Sequence, residues 1–369
     1  MKKYPLLYAF IVLLFLLTIF DLINPEKIYS ELENRKLASK VKFTVEGAIN
    51  GSFSKKYEEY INDQFIGRDL WIDLKSRSEY VLGKIENNGV IYGKNNYLFD
   101  KFDALDTDRV ITNINALNIF IKNAEELGSD VSVMIVPSSY EVYKEMLPEE
   151  APLINQEEEI KFIYNELDGG RKLNIVKLFQ ENKENQLYYK TDHHWNINGA
   201  YLAYKDYIEE IGEKPINLNE LKENNVDNFY GTFFSKAKPF KLEPDVLTYY
   251  DISNIEMKIG AETYDSLYDF SYLNARDKYS IFLRGNNPLT IIKNRDLNNG
   301  KKLLVIKDSF ANSMVPFLTQ NFEEIHVIDL RAFMPQLSNY ISEEKFNNIL
   351  VLYNFINFSK DTNLIKFKF

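Results

Sequence analysis

Short apolar runs that alternate with amphipathic segments are the feature that most restricts the fold of this 369-residue chain. Four runs have the length and composition of buried strands: residues 131–136, 303–306, 325–328 and 349–352. Segments with helical periodicity precede or separate these runs, most clearly residues 107–127 before the first run. This alternation predicts an α/β fold with a doubly wound, mainly parallel sheet flanked by helices.

Residues 226–292 interrupt the alternation. Segments 230–234, 246–250 and 279–283 have the composition of strands, and no linker separates them from their neighbours. We expect a β-rich insertion that packs against the core and shapes a cleft. Upstream, residues 90–92 and 97–99 predict a hairpin, and Gly67 predicts a break between two helices over 52–82.

The N-terminus has the pattern of a signal anchor. Lys2 and Lys3 precede an uncharged apolar run at 4–20, which Asp21 closes, and no small-residue cleavage site follows. We expect a transmembrane helix within 1–25, a linker over 26–50 and a catalytic domain over 51–369. This interpretation predicts a single-pass protein of the cell membrane with its catalytic domain outside the cytoplasm. The alternative is a buried core helix.

Composition narrows the classes of function. The net charge of −10 argues against a nucleic-acid surface, which needs clustered Lys and Arg. The chain has no cysteine, which excludes disulfides, thiolate catalysis and cysteine-ligated metals. It has 25 Tyr and 26 Phe, and exposed aromatic rings are a common means of stacking on sugars.

Two distant motifs carry candidate chemistry. Residues 188–196 contain Asp192, His193 and His194, and the run 303–306 leads directly into a turn that bears Ser309. A serine needs an imidazole to take its proton and a carboxylate to orient that imidazole. In an extended segment residues two apart point the same way, so Asp192 would orient His194 and His193 would face away.

Structural alternatives exist for each of these residues. Ser309 could cap the helix that follows its strand. Asp192 and His194 could form a structural hydrogen bond, or they could join His193 in a metal site. His326, inside an apolar strand, is interpreted as a core or edge histidine with satisfied hydrogen bonds.

The sequence resembles the DHHW proteins, which are related to the alginate O-acetylation proteins and, more distantly, to SGNH-type hydrolases. The resemblance rests on residues 191–196 (Thr-Asp-His-His-Trp-Asn), 307–312 (Lys-Asp-Ser-Phe-Ala-Asn) and 88–94, followed by Leu98 and Phe99. It implies Ser309 as nucleophile, His194 as base and Asp192 as its orienting acid. Unlike most SGNH enzymes, this chain has Lys307 where a glycine usually precedes the Asp-Ser pair, and its serine comes late.

Four further residues are weaker candidates for binding substrate or an oxyanion. Gly285 and Asn286 could supply the backbone N–H and side-chain amide that glycine and asparagine supply in SGNH enzymes, or they could form a plain turn. Asn312 belongs to the serine motif. Arg331 could hold a substrate oxygen or pair with Asp308.

The resemblance implies an O-acetyltransferase, or acetylesterase, that acts on a cell-surface or secreted polysaccharide through an acyl-enzyme. It also implies a membrane-bound O-acyltransferase as the source of acetyl groups, and neither cofactor nor metal. The alternative is a non-catalytic glycan-binding or assembly protein, which would be favoured if Asp192, His194 and Ser309 failed to converge.

Overall fold

The computed structural model describes residues 4–30, 35–149, 151–239 and 242–368. The chain divides into two compact units, one comprising 1–87 with 238–241 and the other 88–237 with 242–369. The helices of the first unit are Pro5–Ile23, Val45–Ile49, Ser52–Gln64 and Arg68–Val81, and its short strands are Tyr29–Ser30, Arg35–Lys36 and Glu86–Asn87. Gly67 lies between two of these helices in the left-handed region (φ 64°), which confirms the predicted break.

The predicted membrane anchor is wrong. Within the part of the chain that the structure describes, no helix combines the length and apolarity that a membrane crossing requires. The helix Pro5–Ile23 includes Asp21, so its uncharged part ends at Phe20. These 16 residues span about 24 Å at 1.5 Å per residue, short of a hydrocarbon core of roughly 30 Å.

Eight strands of the second unit form one mixed sheet. In spatial order they are Glu262–Tyr264, Ile255–Ile259, Leu289–Asn294, Glu324–Ile328, Lys302–Lys307, Asn348–Asn354, Asp130–Val136 and Arg171–Lys172. The last five run parallel, and the first three are antiparallel to their neighbours. The predicted α/β class is confirmed, and the sheet is mixed.

The central strands are buried on both faces, as the apolar runs predicted. Lys302–Lys307 and Asn348–Asn354 are buried along almost their whole length. The helix Thr107–Glu126 packs its apolar stripe on the core and begins at Asp106, whose side chain accepts from the Arg109 N–H at 2.9 Å. The remaining α-helices are Ser139–Val142, Gln156–Glu166, Val176–Glu181, Ile197–Glu210, Thr232–Ala237, Val315–Leu318, Leu337–Glu344 and Phe355–Lys360.

Short elements complete the second unit. The predicted hairpin is confirmed as Val90–Tyr92 paired with Leu98–Asp100. A second antiparallel pair joins Glu223–Phe229 to Asp245–Tyr250. Single 3₁₀ turns occupy Lys94–Asn96, Lys144–Met146, Lys183–Asn185, Leu218–Glu220, Phe270–Asn274, Lys278–Ile281, Ser309–Ser313 and Asn363–Lys368.

Two of the strands expected in residues 226–292 are wrong. The strand expected at 230–234 lies earlier, at Glu223–Phe229, and Thr232 begins a helix. Segment 279–283 enters a 3₁₀ turn, and Leu283 then takes a positive φ of 53°, which ends any extended conformation. Three other strands of this segment, Ile255–Ile259, Glu262–Tyr264 and Leu289–Asn294, extend the central sheet.

Candidate active site

Ser309 lies just beyond the carboxyl end of a central parallel strand, where doubly wound sheets bind ligands. The strand Lys302–Lys307 ends at Asp308, and a 3₁₀ turn begins at Ser309. Asp308 caps this turn, since its Oδ1 accepts from the Phe310 N–H at 2.9 Å. The cap is therefore Asp308, and the alternative that Ser309 serves as the helix cap is wrong.

Asp308 also ties the serine turn to the next strand of the sheet. Its Oδ2 accepts from the Asn354 N–H at 2.8 Å and from Asn357 Nδ2 at 2.7 Å. Burial raises the pKa of Asp308, although these hydrogen bonds oppose the increase. The Asp308 carboxylate thus connects the serine turn both to its own Phe310 N–H and to the strand and helix that contain Asn354 and Asn357.

The structure brings Ser309, His194 and Asp192 into one line of hydrogen bonds. Ser309 Oγ lies 2.7 Å from His194 Nε2, and His194 Nδ1 lies 2.6 Å from Asp192 Oδ1. His194 is 5% exposed and Asp192 is 2% exposed, so the line is shielded from water. This is the geometry that activates a serine hydroxyl as a nucleophile.

Backbone and hydroxyl donors hold Asp192 in place. Its Oδ1 accepts from the His194 N–H at 3.0 Å, and its Oδ2 accepts from the Thr232 N–H at 2.7 Å and from Thr232 Oγ1 at 3.0 Å. Burial acts to raise the pKa of Asp192, but both neighbouring histidines and these hydrogen bonds outweigh burial and hold the pKa far below its usual range. Asp192 is therefore a carboxylate throughout the physiological range.

Two aromatic side chains hold His194 and the serine turn in place. The Tyr279 ring stacks on His194 with centroids 3.8 Å apart, and its hydroxyl donates to the Ser309 carbonyl at 3.1 Å. Trp195 Nε1 donates to the Phe310 carbonyl at 2.9 Å. The composition around Tyr279 predicts a strand, and no local pattern links this residue to the serine turn 30 positions downstream.

His193 does not face away from the site, contrary to the prediction. Its ring lies beside that of His194, with centroids 3.8 Å apart and planes tilted by 37°. Side chains alternate strictly only along an extended backbone, whereas residues 190–194 form a series of bends. Burial, together with the neighbouring His194, lowers the pKa of His193 to about 4, so its ring is neutral near pH 7.

A lysine connects the two candidate asparagines. Lys307 Nζ donates to Asn286 Oδ1 at 2.6 Å and to Asn312 Oδ1 at 2.7 Å, and burial lowers the pKa of Lys307 to about 8. Asn312 Nδ2 donates to Asn286 Oδ1 at 3.2 Å. Gly285 lies in a turn, and its N–H already donates to the Phe282 carbonyl at 3.1 Å, so it is not a free oxyanion donor.

Arg331 pairs with Asp329 and not with Asp308, contrary to one of its two expected roles. Its Nε lies 2.8 Å from Asp329 Oδ1, and its side chain is half exposed. Arg331 also lines a cavity of about 260 Å³ with Asp308, Lys360 and Asn357. The guanidinium thus lies next to the serine motif, at the ends of neighbouring parallel strands.

Two clusters of the described residues hold atoms of the kinds that bind metals. The first cluster comprises Asp192, His193 and His194. Its Asp192 carboxylate already accepts hydrogen bonds from His194 and Thr232. In the second, His326 hydrogen-bonds Tyr340 and Glu324, which confirms it as a satisfied core histidine. Lys302 lies 2.9 Å from the same Glu324, so a cation already occupies that position.

The chain is similar in sequence and in fold to proteins that are already known. A family model described as DHHW protein matches residues 82–328, which is more than half of the chain. Curated relatives include the probable alginate O-acetylases AlgJ of Pseudomonas putida, 22% identical over 179 residues, and of Pseudomonas fluorescens, 24% identical over 182. Each alignment covers 46% of this chain, and the chain spans less than half the length of these relatives (46% and 45%).

Two solved structures share the fold. A DHHW family protein from Eubacterium siraeum has a TM-score of 0.65 at 24% identity, covering 76% of this chain and 96% of that one. Bacillus cereus PatB1, solved with a sulfonyl adduct, has a TM-score of 0.65 at 22% identity, covering 76% and 98%.

Proposed function

The chain belongs to the DHHW protein family, and from that premise we propose that it is an O-acetyltransferase that modifies a polysaccharide through an acetyl-enzyme on Ser309. The observation that carries the proposal is the continuous line of hydrogen bonds from Ser309 Oγ through His194 to Asp192. The names of the AlgJ relatives support O-acetylation as the reaction class.

In the first step Ser309 Oγ attacks the carbonyl carbon of an acetyl ester. His194 Nε2, 2.7 Å away, takes the hydroxyl proton as the new C–O bond forms. The same nitrogen then gives the proton to the departing oxygen of the donor as its bond to the acetyl carbon breaks. Asp192 holds the Nδ1–H tautomer of His194 and stabilises the imidazolium that forms.

In the second step a hydroxyl group of the acceptor gives its proton to His194 Nε2 and attacks the acetyl carbon. The bond to Ser309 Oγ breaks, and the serine recovers its proton from His194. A sugar hydroxyl as acceptor gives transfer, and water gives hydrolysis.

The developing oxyanion needs donors near Ser309. As the first residue of a helical turn, Ser309 has no intrahelical acceptor for its own backbone N–H. Lys307 donates hydrogen bonds to the amide oxygens of Asn286 and Asn312, and Asn312 Nδ2 already donates to Asn286 Oδ1. The Asn286 amide nitrogen is therefore our candidate for the second donor.

The polysaccharide and the acetyl source are parts of the proposal that come from the family resemblance. A membrane-bound O-acyltransferase that supplies acetyl groups is the expected partner, and no nucleic acid is expected. The competing interpretation, a non-catalytic glycan-binding protein, required that the three residues fail to converge. Their convergence supports catalysis.

The test is an acylation experiment with 4-nitrophenyl acetate. We expect a burst of 4-nitrophenolate and, by mass spectrometry of the quenched protein, acetyl on Ser309. Ser309→Ala should abolish both while leaving the far-ultraviolet circular dichroism unchanged, since a small side chain in a capped turn contributes little to stability. A burst that persists in Ser309→Ala would refute the nucleophile, and no burst in the native chain would favour the glycan-binding alternative.

A further inference from the structure

His193 has no role in the mechanism above, yet its ring lies against the base. The Nδ1 atoms of His194 and His193 lie 2.6 and 3.6 Å from the same Asp192 Oδ1. The two rings are direct neighbours, with their planes tilted by 37°. Since the ring centroids are only 3.8 Å apart, His193 Nε2 lies close to His194 Nε2, the atom that reaches Ser309 Oγ.

The hydrogen bonds of Thr232 determine which nitrogen of His193 carries the proton. Asp192 is a carboxylate and can only accept, so the single Thr232 hydroxyl proton is donated to its Oδ2. Thr232 Oγ1 lies 2.6 Å from His193 Nδ1 and must accept from it. The neutral ring therefore carries its proton on Nδ1, and Nε2 has a free lone pair.

The imidazole that carries this lone pair is partly exposed to solvent. Among the described residues, no side chain or backbone group hydrogen-bonds His193 Nε2. The His193 side chain is 29% exposed, whereas that of His194 is 6% exposed. The Phe310 and Phe233 rings, with centroids 6.0 and 6.1 Å from that of His193, hold the imidazole in this position.

We propose that His193 Nε2 accepts a hydrogen bond from the hydroxyl group next to the one that receives the acetyl group, so that the site selects the vicinal diols of sugar rings. The inference rests on the proposed acetyl-enzyme and names its acceptor class. The attacking hydroxyl of the sugar must reach His194 Nε2. His193 Nε2, the neighbouring acceptor, then faces the hydroxyl on the next carbon of the same sugar. Water has no second hydroxyl, so the same contact favours transfer over hydrolysis.

The experiment compares two isomeric acceptors. The full chain is acetylated with 4-nitrophenyl acetate in the presence of 1,2-propanediol or 1,3-propanediol, and the acetyl esters are measured per mole of acetyl-enzyme. This normalisation removes any effect of a variant on acylation itself. We expect the native chain to transfer to the vicinal isomer roughly tenfold better, as one hydrogen bond to a neutral acceptor permits.

Two variants separate binding of the acceptor from support of the triad. In His193→Asn the amide can still donate to Thr232 but has no acceptor at the Nε2 position, so we expect the preference for the vicinal diol to disappear. In His193→Gln the longer side chain can return an acceptor to that position, so part of the preference should return. Ser309→Ala should form no acetyl-enzyme with either diol.

The outcomes that overturn the inference differ from those that overturn the proposed function. A native acetyl-enzyme that shows no preference between the isomers, or that passes acetyl only to water, overturns the role of His193 but leaves Ser309 as nucleophile. The same holds if folded His193→Asn keeps the native preference. Absence of any Ser309-bound acetyl overturns the proposed function itself.

Discussion

Gly231 illustrates how little space surrounds Asp192, the acid of the proposed triad. A Cβ added to this glycine would lie 2.2 Å from Asp192 Cβ and 2.4 Å from Asp192 Oδ2. Its N–H also donates to Thr191 Oγ1 at 3.0 Å, so the backbone cannot easily move away. The requirement for glycine here is close approach, since its φ is not in the left-handed region.

Gly231→Ala should therefore displace Asp192 and lower turnover on the order of 100-fold, as a misplacement near 1 Å can. Gly212→Ala is the matched control. That glycine is exposed with a φ of 78° and open space around its Cβ position, so alanine there costs about 1 kcal/mol of strain and leaves turnover per folded molecule intact. Equal turnover in the two folded variants would contradict the crowding argument.

The lowered pKa of His193 should appear in the pH dependence of stability. The folded protein holds this ring neutral down to about pH 4, whereas the unfolded chain takes up the proton near its ordinary pKa of 6.5. Between these values the unfolded state binds more protons, so the contribution of His193 to the free energy of unfolding falls as the pH is lowered from about 6.5 to 4 and is constant above that window.

Urea unfolding of the native chain and of His193→Asn, each at several pH values from 4 to 8, measures this contribution. We expect the variant to lose 1 to 3 kcal/mol less than the native chain across the window, as an order of magnitude. Parallel curves for the two proteins would show that His193 titrates normally in the folded state.

Among the elements, the 3₁₀ turn Ser309–Ser313 depends most on contacts outside itself. Asp308 caps it and binds two groups from the following strand and helix, and Trp195 and Tyr279 hold its carbonyls. A single turn has little stability of its own. The position of Ser309 is therefore determined by distant parts of the chain.

Asp308→Asn should destabilise this element. Asp308 accepts three hydrogen bonds, and an asparagine must turn its NH₂ group toward at least one of those donors. We expect a loss of about 1 to 3 kcal/mol in urea unfolding. Asn357→Ala, which removes only one of the three donors, should cost less. A larger loss in Asn357→Ala would show that the cap is not the main contact.

The elements also show what the sequence could predict. Ser309 follows an apolar strand, and Asp192 lies two residues before His194, so local patterns predicted both halves of the candidate triad. The supporting contacts of Thr232, Tyr279 and Asp308 join residues 30 to 46 positions apart, and no local periodicity encodes them. Two insertion strands were misassigned because aromatic and β-branched composition resembles a strand even where the chain turns.

For the whole molecule, the division into two units predicts that the larger one folds alone. The main apolar core, from Ile91 to Phe367, and every residue of the candidate site lie in the unit that comprises 88–237 and 242–369. A fragment of residues 88–369 should unfold in one cooperative transition by calorimetry and acetylate Ser309 at a rate within about threefold of the full chain. A fragment that lacks a transition would show that residues 1–87 are needed for folding.

The order of the strands also has a consequence for biosynthesis. The strand that leads to Ser309 lies between Glu324–Ile328 and Asn348–Asn354, both of which are translated after it. Asn354 and Asn357, which hold the Asp308 cap, come later still than the serine. A nascent chain on the ribosome therefore carries Ser309 and both histidines before it can align them. During translation or refolding, Ser309 should therefore become acetylated only after the strand Asn348–Asn354 has been inserted into the sheet.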